Sequence, residues 1–166
     1  MYSLNVPLPG RVEALCERLR PELYGAARVR EQRTLVLKRF GGRSPSEYAR
    51  LERGVRNALA GTEPFEARIA GLDAFTEPVW GEGPVVYLGV ESPELIDLHD
   101  RLLEVADERP TEGERYVPHV TLARGGDLDP DRLRDLAVDP ITWTVRELEF
   151  WDATYEETIG RLRLSG

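Results

Sequence analysis

His119 and Thr121 are the residues of this chain whose types and spacing suit chemistry at a phosphate. They sit in Tyr116-Val117-Pro118-His119-Val120-Thr121-Leu122-Ala123-Arg124, an apolar, β-branched run closed by Gly125-Gly126, which reads as a strand. Alternation along a strand puts His119 and Thr121 on one face, about 6–7 Å apart by strand rise, and turns Val120 and Leu122 towards a core. An imidazole gives or takes a proton near neutral pH, and a hydroxyl donates to a non-bridging phosphate oxygen. A strand histidine satisfied by a neighbour has the same local sequence, so the pair needs support from elsewhere in the chain.

That support is a second stretch of the same shape, Thr34-Leu35-Val36-Leu37-Lys38-Arg39-Phe40-Gly41-Gly42. Aligned on Arg39 with Arg124 and on Gly41 with Gly126, Leu37 falls on Leu122, Val36 on Thr121 and Thr34 on His119. Each stretch leads into a helix start. Ser44-Pro45-Ser46-Glu47 is a capping box with proline at the first helical position, and Asp129-Pro130 is a weaker version of it. Strand, glycine turn and helix thus occur twice, which points to an internal duplication.

The segment Pro118-His119-Val120-Thr121-Leu122-Ala123-Arg124 resembles the second motif of the two-histidine phosphoesterases, which include the 2′-5′ RNA ligases and RNA 2′,3′-cyclic phosphodiesterases. Members carry two His-x-Thr/Ser motifs, one per lobe, facing each other across a cleft. At the level of pattern the likeness runs along the chain: residues 1–7 as the opening strand, 34–41 as the first-motif strand, 65–75 as the strand before a Pro/Trp-rich loop, and 95–103 as the helix before the second motif. The resemblance implies an α+β fold of two pseudo-symmetric lobes, each an antiparallel sheet backed by helices, around a central cleft. Residues 1–166 would form a single two-lobed domain. It implies His119 as acid/base and Thr121 as phosphate holder, with Arg33, Thr34, Lys38 and Arg124 on the substrate. No metal and no cofactor are implied. The partner would be an RNA end or nucleotide with a 2′,3′-cyclic phosphate or a 2′-5′ linkage.

The first motif has no histidine. In the register above Thr34 and Val36 occupy the His and Thr places; slid by one residue, Arg33 and Leu35 do. An arginine clamps phosphate but cannot act as a base at neutral pH. The other histidine, His99, falls at the rim of a helical apolar stripe and reads as a partly exposed surface residue. Two functions stay open: a slow or altered phosphodiesterase or 2′-5′ RNA ligase relying on His119, and a non-catalytic nucleotide or RNA-end binder.

The 166 residues carry a formal charge of −8, with 41% apolar and 31% charged residues. Lys38 is the one lysine; every other basic residue is arginine. An acidic surface with arginine in place of lysine fits a protein kept soluble in high salt, and a GC-rich genome yields the same bias. Such a chain is a poor general nucleic-acid binder, so any RNA contact must be local, in an arginine-lined cleft. The lone Cys16 excludes an internal disulfide and reads as a small buried apolar residue. No secretory signal, membrane-length apolar run, zinc spacing or Gly-rich phosphate loop is present, so the expected protein is a cytoplasmic monomer.

The positioning elements follow from periodicity. Strands are expected at Tyr2-Ser3-Leu4-Asn5-Val6, at residues 33–40, 65–69 and 85–90, and around His119. Residues 25–32 read as an arginine-rich connector with Arg28 and Arg30 as solvated charges, and 109–115 as a charged loop. Residues 141–145 read as a strand that 148–151 continue past a bulge, and 155–164 as an edge strand. Helices are expected from Val12 to Leu23, Tyr48 to Leu59, Leu95 to Val105 and Asp129 to Val138. Trp80, in the loop between strands, reads as a cover for the core edge, with base stacking as its functional alternative.

Overall fold

The computed structural model describes residues 1–42, 44–106 and 115–166. The elements in chain order are β1 (Tyr2–Val6), α1 (Gly10–Leu19), a 3-10 turn (Arg20–Leu23), β2 (Ala26–Val29), β3 (Leu35–Arg39), α2 (Pro45–Ala58), β4 (Phe65–Phe75) and β5 (Val85–Glu91). There follow α3 (Pro93–Leu102), β6 (His119–Gly126), α4 (Pro130–Arg134), β7 (Thr142–Val145), β8 (Glu147–Asp152) and β9 (Glu157–Arg163). Apart from Arg115, the charged loop read over 109–115 lies outside the described residues.

Among the described residues the strands form one curled antiparallel sheet in the order β7-β4-β5-β6-β3-β1-β8-β9, with β2 on β6. The order is symmetric about the β6–β3 junction, and β1-α1-β3-α2 is echoed by β5-α3-β6-α4. The fold is therefore α+β, in two like halves. They join through the pair Leu35↔Val120, both fully buried.

The local reasons for the site-bearing elements are plain. On β6 the burial pattern iBiBBiBe keeps Val120, Leu122 and Ala123 in the core and turns His119, Thr121 and Arg124 outward. On β4, Phe65, Ala67 and Ile69 alternate with exposed neighbours. α2 starts on the expected capping box: Ser44 accepts from the Glu47 N–H, and the Glu47 carboxylate accepts from the Ser44 N–H. Asp129 caps α4 by accepting from the Asp131 and Arg132 N–H groups.

Three expectations are corrected. Residues 26–29 are a strand, β2, which runs antiparallel to β6 with Arg28 opposite Arg124, because Gly126, Arg124 and Ala123 leave backbone groups open on that edge. The run 148–151 does not continue β7: β7 pairs with β4 and β8 with β1, so the chain crosses between the halves at Arg146. His99 is not a surface residue but 3% exposed. Its Nδ1 donates to the Leu37 carbonyl at 2.8 Å, and its ring stacks on Tyr116 at 4.2 Å and 3°. α3 lies against β3, and that contact supplies a partner the helix pattern alone could not reveal.

Candidate active site

His119 and Thr121 share the open face of β6 and line two adjoining hollows, of about 280 and 600 Å³. Val36, Arg30 and Arg39 also border both. The first hollow continues over Phe75 and Trp80 to Arg124; the second runs to Arg28, Thr34 and Trp151. Since Leu35 pairs with Val120, antiparallel register sets Val36 across from His119 and Thr34 across from Thr121.

Both motif strands carry a bulge at the same place. Against β1, Asn5 then Leu4 meet Val36 then Lys38; against β5, Tyr87 then Val86 meet Thr121 then Ala123. The extra residue on each strand breaks the alternation, so Val36 and Arg39 on one strand, and Thr121 and Arg124 on the other, face the cleft. Arg39 is thus the counterpart of Arg124.

The bulge decides the fate of the expected substrate residues. Thr34 and Arg124 line the cleft. Lys38 does not: it is fully buried opposite Leu4, in the place that Ala123 takes on the other strand. Arg33 points away, its guanidinium paired to Glu13 at 3.3 Å and Glu17 at 2.6 Å on α1. Of the two registers for the first motif, the geometry therefore brings Thr34, not Arg33, to the cleft.

His119 is held in one tautomer. Nδ1 lies 2.6 Å from the Val117 carbonyl oxygen, which can only accept, so Nδ1 carries the hydrogen and Nε2 is left with its lone pair. The ring edge meets Phe75 at 87° and 5.2 Å, and Tyr87 lies 5.2 Å away. Burial depresses the imidazole pKa below its ordinary value, and the Arg39 charge depresses it further, against an opposing pull from the Val117 carbonyl. Tyr87 supplies no proton at neutral pH: burial and the nearby Asp73 carboxylate, which it hydrogen-bonds, push its phenol up to about 12.

Sequence reasoning missed Arg39, Arg28, Arg30 and Tyr116 as cleft residues. The Arg39–Arg124 alignment carried the signal for the first. The i, i+2 spacing of Arg28 and Arg30, which places both on one face of a strand, carried it for the next two. Tyr116 donates to the Val36 carbonyl at 2.9 Å and borders the first hollow. Trp80, expected at the core edge, is 46% exposed at the cleft rim with the Arg124 guanidinium 4.0 Å over its ring. Among the described residues no group of three or more His, Cys, Asp or Glu could hold a metal.

Two like half-sheets meeting at a cleft that bears a histidine and a threonine on one strand define a class of two-lobed cleft proteins. The chain belongs to the 2′-5′ RNA ligase superfamily, whose family model matches residues 8–155. It is 38% identical over 106 residues to the RNA 2′,3′-cyclic phosphodiesterase of Methanothermobacter thermautotrophicus, a match covering 61% of this chain and 55% of that protein. The match thus spans about half the length of that relative. The Thermus thermophilus protein TT0787 has the same fold, with a TM-score of 0.72 at 21% identity over 99% of this chain and 98% of its own. So does E. coli LigT crystallised with 3′-AMP, with a TM-score of 0.73 at 16% identity and the same coverage.

Proposed function

We propose that the protein hydrolyses a 2′,3′-cyclic phosphate on an RNA end or nucleotide, with His119 as its general base and Thr121 holding the phosphate. The observation that carries this reading is the pinned His119 tautomer beside Thr121 in an arginine-lined cleft. The two halves act as one unit over residues 1–166, since the cleft takes side chains from both. The relative named for RNA 2′,3′-cyclic phosphodiesterase activity and the structural neighbour crystallised with 3′-AMP support a nucleotide as the occupant.

In the reaction, His119 Nε2 takes a proton from water as the oxygen attacks phosphorus. The bond to one ribose oxygen then breaks. Thr121 and the cleft arginines offset the charge gathering on the non-bridging oxygens. The departing oxygen needs a proton, and the facing positions, Thr34 and Val36, offer no group that gives one up near neutral pH. Solvent must supply it. A positioned acid or base is typically worth 10²–10⁴-fold, so turnover is slow by about that factor.

Those same facing residues favour a second reading, a binder of nucleotide or RNA ends that does not turn over. Turnover and binding of one nucleoside 2′,3′-cyclic phosphate, measured side by side, separate the two. Turnover abolished by His119→Ala supports the enzyme. Binding with no turnover above the rate in buffer replaces it by the binder, and neither binding nor turnover removes both.

A further inference from the structure

Arg28, Arg30 and Arg124 lie together beyond the His119–Thr121 pair. Arg28 faces Arg124 across the β2–β6 ladder, and the Arg30 N–H bonds the Leu122 carbonyl at 2.8 Å, which carries the same edge towards Thr121. Like charges placed opposite each other on adjacent strands are destabilising. Elsewhere in this chain of net charge −8, Arg20, Arg33, Arg56, Arg68, Arg132, Arg134 and Arg161 each pair with a carboxylate. Among the described residues Arg28, Arg30 and Arg124 make no ion pair, although Glu77 borders the same hollow as Arg124. Burial, then the charges of Arg30 and Arg28, depress the Arg124 pKa.

Arg124 is also held still. It donates through Nη1 to the Trp80 carbonyl at 2.6 Å, lies over the Trp80 ring, and keeps a buried Nε with no partner. Arg124 lies three positions along β6 from Thr121, at most about 10 Å of backbone, so the cluster continues the cleft beyond the pair.

We propose that Arg28, Arg30 and Arg124 form a second anion subsite for a further phosphate of the same substrate. This rests on the cyclic-phosphate reading and narrows it. The preferred substrate bears another phosphate, either a 5′-phosphate on a mononucleotide or the internucleotide phosphate of an RNA end.

The test compares three probes: a nucleoside 2′,3′-cyclic phosphate, the same compound with a 5′-phosphate, and a dinucleotide ending in the cyclic phosphate. Kd and kcat/KM are measured on the intact chain and on Arg28→Gln/Arg30→Gln, with folding checked by melting. The intact chain should prefer at least one of the phosphorylated probes about tenfold, the scale of one charge-assisted hydrogen bond. Its Kd for that probe should rise more steeply with salt. The double variant should lose that preference. Which probe is preferred tells the mononucleotide from the RNA end. Equal treatment of all three probes, with equal salt slopes, overturns the second subsite and leaves the cyclic-phosphate reading standing. A preference that survives in the double variant overturns the assignment to Arg28 and Arg30. If no probe binds or turns over, both readings fall. Should the variant not fold, the preference and salt slopes of the intact chain still decide.

Discussion

One carbonyl, that of Val117, fixes which ring nitrogen of His119 is open to the cleft. With Nδ1 committed, the ring works through Nε2, and it works as a base only when neutral. Its pKa is held down, so the acid limb of kcat/KM should fall below the ordinary histidine value of about 6.5. Removing the Arg39 cation in Arg39→Ala removes a depressing charge and should move that limb upward. A limb above 6.5 in the intact chain would contradict the assigned environment. A second prediction concerns the facing position. Thr34→His places an imidazole in the cleft and should raise turnover, by up to the 10²–10⁴-fold of a positioned acid. Arg33→His should not, because that side chain lies against Glu13 and Glu17. Equal gains from both would show that the register is not the one described. That His119 and Thr121 share one open face of a strand was legible from their spacing and from the second stretch of the same shape. The choice between Arg33 and Thr34 was not, since it depends on which face of one short strand meets α1.

At the scale of elements, the matched bulges on β3 and β6 matter most. Each adds one residue to its strand, so that a position of the motif and an arginine three residues later share the cleft face. Sequence alignment found these pairs, but not that Lys38 and Ala123 turn inward, because a bulge leaves no mark in a run of apolar residues. Likewise Arg28 and Arg30 were legible as charges and not as a strand, since β2 exists only because β6 offers it an edge. The α3–β3 contact gives a direct test. His99→Ala removes the bond to the Leu37 carbonyl and the stack on Tyr116, and leaves a buried acceptor unpaired. The cost should be about 1–3 kcal/mol, read as a lower midpoint in denaturant. Turnover should fall too if the α3 contact holds β3 in place. Cys16 offers a second probe. Burial pushes its thiol up to about 11, so a thiol reagent at neutral pH should react with it only on the timescale of unfolding.

For the whole molecule, surface and cleft carry opposite charge. The chain is −8 overall, while Arg28, Arg30, Arg39 and Arg124 line the two adjoining hollows. Salt should therefore act in two directions. Between about 0.1 and 2 M KCl, screening of crowded carboxylates should raise the melting temperature. Over the same range, screening of the cleft should weaken the binding of a cyclic phosphate. A flat or falling melting temperature would mark the arginine bias as a matter of genome composition. The two-halved fold was legible because strand, turn and helix recur in the sequence. The symmetric strand order was not, because β4 and β8 join the sheet from the half that each does not follow in the chain. The near-twofold relation about Leu35 and Val120 has a consequence for direction. A cleft with the same groups on both sides would accept a phosphodiester either way round. Here an imidazole stands on one side only, so under the proposed function a bound strand would have a productive polarity and a futile one.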